Sequence, residues 1–174
     1  MTSLKRQKEH VKILAVTLAR DFLPALVFVY LLFGVLFQIT VVSGKSMEPT
    51  FSNGDILLTC RVFRTISRGD IVVCIPEKFG RPIIKRVIGI AGDQIEIDAD
   101  SDEITVNGTK LQEPYLSPKE SVQYQTLSVN VHEGTMFLLG DNRNHSLDSR
   151  SQEIGLVSTE EIESKYLFTL WGEC

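Results

Sequence analysis

The longest hydrophobic stretch of the chain runs from Phe22 to Ile39 and contains no charged residue over 18 positions. As a helix rising ~1.5 Å per residue it would span about 27 Å, close to the apolar thickness of a bilayer. Pro24 falls in the first turn, where its missing N–H costs little. The pattern predicts a transmembrane anchor, which we place at residues 22–42.

Two other interpretations of the apolar run compete with an anchor. A helix packed in the core of a globular domain would show a polar face, which this run lacks. A cleaved signal peptide would use Val41 and Ser43 as small residues before the cut, but its hydrophobic region usually spans only about 7–15 residues. We therefore expect the anchor to be retained.

Charges beside the anchor predict its orientation. Residues 1–21 contain five basic and two acidic side chains, and a basic flank normally stays on the cytoplasmic side. The sequence thus predicts a single-pass protein of the plasma membrane. Its basic N-terminus at 1–21 would be cytoplasmic, and its domain at 43–174 would lie outside.

Beyond the anchor, short apolar or alternating runs separated by turn residues predict a mostly β domain. Three near-continuous apolar runs are typical of strands buried on both faces: 55–63, 70–76 and 82–90. Residues 94–111 alternate between polar and apolar positions, and Asn107-Gly108 within them is a strong hairpin signal. A further apolar run at 135–140 predicts another strand.

One stretch beyond the anchor has a helical pattern, at residues 158–165. Ser158 or Thr159 would cap this helix. Glu160 and Glu161 would then fall in the first turn, where the helix dipole favours acidic side chains. We predict one short helix here.

Charge and cysteine content exclude some partners and cofactors. Outside residues 1–21 there remain 13 basic and 20 acidic residues, a net charge of −7. No basic face interleaved with aromatic residues appears, so we expect no nucleic-acid partner. The cysteines lack metal-ligand spacing, and we expect no metal and no cofactor. Cys60 and Cys74 lie in apolar runs and should be buried free thiols, with a disulfide between them as the alternative.

The stretch VVSGKSMEPT, residues 41–50, raises the question of a serine nucleophile, because a serine hydroxyl reacts only when a base or amine activates it. His10 would lie on the cytoplasmic side of the anchor. Lys45 precedes Ser46 directly, and neighbouring side chains of an extended segment point to opposite faces. His145 lies beside Ser146, but neighbours within one loop rarely converge on one reacting atom.

Lys85 is a stronger candidate base, since apolar residues flank it on both sides. Burial in an apolar strand lowers the pKa of a lysine, in extreme cases by about 3–5 units from ~10.4. The neutral amine can then accept a proton. The alternative is an edge-strand lysine whose ammonium reaches water, and the strand by itself leaves both interpretations open.

With the anchor, five ordered blocks make the chain resemble the type I signal peptidases, which are membrane-anchored Ser/Lys endopeptidases. The blocks are SGKSMEPT (43–50), NGD (53–55), KRVIGIAGD (85–93), VNGTKLQEPY (106–115) and GDNRNHSLDSR (140–150). The resemblance implies a coiled, mostly antiparallel β fold after one transmembrane helix, with a small insertion at about 94–134. It also implies that the substrates are the signal peptides of exported preproteins and that membrane lipid is a partner.

The resemblance assigns roles to individual residues. Ser46 matches the nucleophile, Lys85 the general base, and Ser146 the serine whose hydroxyl orients the lysine amine. Two charged pairs match the supports of this site: Asp148 with Arg150, and Asp141 with Arg86. Residues 153–171 match the family pattern only loosely.

The substrate side is predicted from strand proximity. Small residues one and three positions before the cut would enter shallow pockets, the alternative for the four pocket residues being plain core packing. These residues are Val41, Val42, Ile83 and Ile84. Gly44 departs from the relatives that carry an oxyanion-binding serine at this position. The Ser46 N–H would then be the main donor, unless Ser43 reaches in.

Three other functions remain open at this stage. A self-cleaving repressor would share the Ser/Lys dyad but carries a DNA-binding module where this chain has the apolar run. A membrane-tethered β domain without activity would use Ser46 and Lys85 only structurally. A dedicated processing peptidase of the same family would act on one substrate class. The oligomeric state is not predicted.

Overall fold

The computed structural model describes residues 2–101, 103–116 and 125–172, and the chain divides into two compact units, residues 1–37 and 38–174. The first unit is one helix, α1, Thr2–Leu36. Its part Val16–Leu36 is long and apolar enough to cross a membrane, and none of that span is buried. The structure therefore gives no support to a core helix.

The helix ends before the apolar run does. Strand β1 begins at Phe37 and continues to Val41, so the C-terminal end of the predicted anchor, residues 37–42, is not helical. The reason is local: β-branched residues at 39–42 lose side-chain freedom in a helix and favour extended backbone.

Eleven strands in the described part of the chain form two sheets. They are β1 Phe37–Val41, β2 Ile56–Cys60, β3 Ile71–Cys74, β4 Ile83–Gly89, β5 Gln94–Asp98, β6 Glu103–Val106, β7 Thr109–Lys110, β8 Leu127–Asn130, β9 Thr135–Leu139, β10 Val157–Ser158 and β11 Ile162–Trp171. The larger sheet has the order β1-β2-β11-β3-β4-β9-β10, and the smaller has β7-β6-β5-β8. In the larger sheet, all neighbouring strands from β2 to β10 in this order pair antiparallel, and so do all neighbouring strands of the smaller sheet. These pairings confirm the predicted mostly β fold.

Burial explains why some strands read as continuous apolar runs. In β9, Met136 and Leu138 pack in one core cluster, whereas Phe137 and Leu139 pack in another that reaches the small sheet. Strand β3 is likewise buried at all four positions. In β2 the residues alternate between buried and half-buried, so the expectation of two buried faces was wrong there.

The predicted hairpin turn is confirmed at Asn107-Gly108. Both residues have positive φ, 54° and 73°, and they connect β6 to β7 with Val106 opposite Thr109. A two-residue turn of this kind matches the right-handed twist of the flanking strands.

The predicted helix at 158–165 is wrong. Ser158 does cap a turn, but this turn is a single 3₁₀ turn over Thr159–Glu161, and β11 follows it directly. Ile162 and Ser164 are buried on alternate positions, and the strand pairs with both β2 and β3. Sheet pairing on both sides therefore overrides the local helical signal.

Candidate active site

Ser46 and Lys85 meet although 39 positions separate them in the chain. The Lys85 Nζ atom lies 2.7 Å from the Ser46 Oγ atom, and it donates to the Ile84 carbonyl at 2.9 Å. Lys85 lies in β4, between β3 and β9, and only 3% of it is exposed. This burial excludes the alternative in which its ammonium reaches water.

The environment of Lys85 favours the neutral amine. Burial lowers its pKa from the ordinary value, while the nearby carboxylates of Asp148 and Asp141 act in the opposite direction. At 2.7 Å a neutral amine can accept the proton of the Ser46 hydroxyl. The pair thus has the arrangement of a nucleophile and its base.

The loop that carries Ser46 is fixed by its own packing and by a distant segment. Met47 is 1% exposed and packs in a cluster with Phe51. The Asn142 N–H donates to the Ser46 carbonyl at 3.0 Å, and its side-chain amide donates to the Lys45 carbonyl at 3.1 Å. Asn142 therefore holds residues 45 and 46 through its backbone N–H and through its side-chain amide.

Gly140 lets the segment after β9 approach the nucleophile. A Cβ atom at this position would collide with the Ser146 hydroxyl and with the Ser46 carbonyl oxygen. The Gly140 N–H donates to Asp148 Oδ2 at 3.1 Å. Only glycine fits at this position, because the backbone after β9 meets the Ser146 side chain and the Ser46 carbonyl there.

Both predicted ion pairs are present. Arg86 donates from Nε and Nη2 to the two Asp141 oxygens at 2.8 and 2.6 Å, and the Thr50 hydroxyl donates to the same carboxylate. Arg150 donates from Nε and Nη2 to the two Asp148 oxygens, both at 2.8 Å. The first pair joins residue 141 to the strand of Lys85, and the second closes the segment 140–150 on itself.

Ser146 lies beside this site without a direct bond to the amine. Its hydroxyl is buried and has no hydrogen-bond partner within the described part of the chain. It lines a cavity of about 270 Å³ together with Asp148 and Arg150. Its role in orienting Lys85 stays a prediction. His145 is exposed and makes no bond to that hydroxyl, so the structure does not form a local triad.

A cleft of about 160 Å³ opens beside the Ser46–Lys85 pair. Its lining includes both members of the pair and all four predicted pocket residues, Val41, Val42, Ile83 and Ile84. Ser43 lines the same cleft. The neighbouring Gly44 has φ of 95°, and its N–H donates to the Asn53 side chain at 2.8 Å. That N–H is thus already engaged, so it is not available to a developing oxyanion.

Sequence reasoning missed three residues near the site: Glu113, Tyr115 and Arg143. The first two belong to the block VNGTKLQEPY, which carried the resemblance but received no role. In the structure Glu113 binds Arg143, and the Tyr115 ring covers Arg86. The available signal was the arginine in the last block, which needs an acidic partner when it is buried.

The sequence matches the family described as signal peptidase, peptidase S26, over residues 15–171. It is 33% identical over 162 residues to signal peptidase I of Bacillus licheniformis, covering 86% of each chain. It is 36% identical over 146 residues to signal peptidase I of Bacillus caldolyticus, covering 75% of this chain and 78% of that one. A crystal structure of a signal peptidase I from Enterococcus faecalis V583 is similar with a TM-score of 0.50 and 30% identity, over 62% of this chain and 100% of that chain.

Proposed function

The chain belongs to the signal peptidase family, peptidase S26, and from this premise we propose how its residues act. It is a membrane-anchored serine endopeptidase that removes signal peptides from preproteins. The observation that supports the assignment of roles is the 2.7 Å distance between the Ser46 hydroxyl and the buried Lys85 amine.

The proposed reaction runs through an acyl-enzyme. Neutral Lys85 accepts the Ser46 proton as the serine oxygen attacks the carbonyl carbon of the scissile bond. The same amine then gives that proton to the leaving nitrogen, so the peptide bond breaks and the mature chain departs. A water molecule next loses a proton to Lys85 and attacks the acyl carbon. The bond from the acyl carbon to Ser46 Oγ breaks, which releases the signal peptide, and Lys85 returns the proton to Oγ, so that the Ser46 hydroxyl and the neutral amine are restored.

The charged residues around the pair have supporting roles in this proposal. Asp141 and Asp148 hold the segment 140–150 through their arginines, and Ser146 orients the Lys85 amine. The Ser46 N–H binds the developing oxyanion. Ser43 lines the same cleft three positions before the nucleophile, and its hydroxyl serves as a second oxyanion donor.

We expect the detergent-solubilised full-length protein to cut a model preprotein once, after a small residue. Mass spectrometry of both fragments identifies the bond that was cut. The matched control is the same preprotein with bulky residues at the two positions one and three before the cut, which should stay intact. A parent protein that is inert on several different preproteins would instead favour a dedicated substrate or a tethered domain without activity.

Ile84 should set the size of the residue accepted by the cleft. The Ile84→Ala variant removes three methyl or methylene groups from a wall that Ile84 shares with Ser46 and Lys85, so larger residues should be accepted before the cut. Competition between preproteins with Ala and with Val or Leu there measures the change. We expect about 10-fold relative gain for the larger residue, given ~1 kcal/mol or more per methylene. An unchanged preference would show that Ile84 is only a packing residue.

The orientation of the anchor and the contact with lipid are also proposals. Residues 1–21 would be cytoplasmic, residues 22–42 would contain the anchor, and residues 43–174 would form the extracytoplasmic catalytic domain. Besides α1, a second part of the chain exposes apolar side chains that could contact lipid. This row lies at the end of β11 and consists of Leu167, Phe168, Leu170 and Trp171. Aromatic residues with apolar neighbours favour the membrane interface, so we propose that this row touches lipid.

Trp171 is the chain's single tryptophan and is 75% exposed, so its fluorescence reports on this contact. Reconstitution into vesicles should shift its emission to shorter wavelength, and brominated lipids should quench it. The control carries Trp171→Phe together with His132→Trp, because His132 is exposed in a turn between β8 and β9. That control should stay unquenched. Equal quenching at both positions would contradict a specific lipid-facing row.

A further inference from the structure

The segment that follows β7 in the small sheet contacts two arginines of the active site. Glu113 contacts Arg143 and Tyr115 contacts Arg86, 30 and 29 positions apart in the chain. Neither residue is among those that line the substrate cleft. Their function must therefore be sought in what the two arginines hold.

Glu113 neutralises a buried guanidinium. Arg143 Nη1 donates to Glu113 Oε2 at 2.9 Å, and Nη2 donates to the other carboxylate oxygen. Only 1% of the Arg143 side chain and 12% of the Glu113 side chain are exposed. The same arginine donates from Nε to the Gly140 carbonyl at 3.0 Å. The carboxylate thus fixes the guanidinium that binds the Gly140 carbonyl, at a point where the segment after β9 lies close to the Ser46 carbonyl.

Tyr115 connects this ion pair to the strand of the base. Its hydroxyl donates to Glu113 Oε1 at 2.7 Å, and its ring lies under the Arg86 guanidinium at 3.9 Å. This stacking is a favourable cation–π contact. Arg86 follows Lys85 directly in the chain. Its guanidinium stacks on the Tyr115 ring and donates two hydrogen bonds to the Asp141 carboxylate.

We propose that Glu113 and Tyr115 are positioning residues that set the distance between Ser46 and Lys85. Through Arg143 they fix Gly140, and through Arg86 they fix Asp141 against the Lys85 strand. Asn142, the next residue, then holds the Ser46 carbonyl. This inference rests on the proposed function, and it adds the segment that follows β7, residues 113–115, to the residues that position Ser46 and Lys85.

The arrangement predicts a particular kinetic signature. The residues of the cleft are different from those of the 113–115 segment, so substrate binding should survive its loss. Proton transfer from Ser46 to Lys85 depends steeply on their separation, and a misplacement of about 1 Å can cost on the order of 100-fold in rate. The turnover number should therefore fall while KM changes little.

The experiment compares three substitutions in the full-length, detergent-solubilised protein. Glu113→Gln should lower kcat about 10- to 100-fold with KM within about 3-fold. Tyr115→Leu, which removes ring and hydroxyl, should behave similarly, and Tyr115→Phe, which keeps the ring, should lose only about 2- to 5-fold. A small ester that does not fill the cleft should show the same losses, because the defect lies in the dyad.

A matched control comes from the same sheet. Glu103 forms an exposed ion pair with Lys110, and Glu103→Gln removes one carboxylate of the small sheet without touching an active-site arginine. This variant should have parental kcat. Glu113→Asp keeps the charge on a shorter side chain and should recover part of the activity that Glu113→Gln loses.

Several results would overturn the proposal. One is a Glu113→Gln variant as active as Glu103→Gln, and another is a loss carried by KM on the preprotein with full activity on the ester. If circular dichroism shows that Glu113→Gln does not fold, the other variants decide. Ester turnover equal to that of the parent in Tyr115→Phe, Glu113→Asp and Tyr115→Leu would then exclude a positioning role. A parent that cuts neither substrate would refute the proposed function itself, which is a different outcome.

Discussion

Replacing Lys85 by Met should remove peptide hydrolysis and leave the protein folded. The methionine side chain is of similar length and apolar, so it suits the 3% exposed site, but it cannot accept the Ser46 proton. Loss of a nucleophile or its base costs on the order of 10⁶ in kcat in a well-studied serine protease, and we expect at least ~10⁴ here. Ser46→Ala should lose activity to the same extent, and the double variant should lose no more.

The control for this substitution is Lys45→Met. It removes the exposed lysine next to the nucleophile, whose carbonyl stays bound to Asn142, and it should retain activity. Circular dichroism and a thermal melt test that each variant is folded. Residual turnover in Lys85→Met comparable to the parent would move the base elsewhere, with Lys45 and His145 as the next candidates.

The pH dependence follows from the same residue. Burial lowers the Lys85 pKa from its ordinary value of 10.5, and the neutral amine is the active form. Activity should therefore rise with pH through this lowered pKa and level off before 10.5. The folded state binds the Lys85 proton less tightly than the unfolded chain, so this residue destabilises the fold progressively as pH falls from 10.5 through the lowered pKa. Lys85→Met should remove both dependences.

Of the substitutions proposed here, removal of the Asp141 carboxylate should cause the largest decrease in the free energy of unfolding. Asp141 has no exposed side-chain surface, and it accepts hydrogen bonds from Nε and Nη2 of Arg86 and from the Thr50 hydroxyl. In Asp141→Ala, the Arg86 side chain, which is only 11% exposed, loses its counter-charge. Breaking a buried ion pair in this way typically costs about 3–5 kcal/mol. The free energy of unfolding, from urea titration of the detergent-solubilised protein, measures the effect.

Glu103→Gln again supplies the comparison. Its partner Lys110 is 57% exposed, and exposed pairs contribute about 0–1 kcal/mol. Both substitutions remove the carboxylate of an ion pair, one buried and one exposed, and we expect a much larger loss for the buried one. Similar small losses for both would show that Arg86 finds a new partner, and would weaken the argument that Asp141 fixes the active-site segment.

The elements that sequence patterns predicted well are those determined by neighbouring residues. Strand β3 and the Asn107-Gly108 turn follow from local apolar runs and from backbone preference. The burial of Lys85 could not be decided in the same way, because its strand lies between β3 and β9, and only the sheet order distinguishes a central strand from an edge.

Two failures have a common physical cause. The Ser158 capping signal is real, yet pairing of β11 with β2 and β3 stops the helix after one turn. Glu113 and Arg143 are 30 positions apart, and their pairing depends on how the small sheet meets the segment after β9. Both outcomes were decided by contacts distant in the chain, which carry no short-range pattern. The prediction of free thiols at Cys60 and Cys74 is confirmed, but only Cys74 is buried, and Cys60 is half-buried.

The position of β11 has a consequence for when the enzyme becomes active during its biosynthesis. In the large sheet, β1 and β2 precede and follow the Ser46 loop, whereas β3 and β4 carry the Lys85 side, and β11 lies between the two pairs. This strand follows all the others along the chain. A growing polypeptide that has made both Ser46 and Lys85 still lacks the strand that joins their halves of the sheet. Such a polypeptide has no continuous strand ladder to align Ser46 with Lys85, so we expect proteolytic activity only after β11 has been made and has joined the sheet.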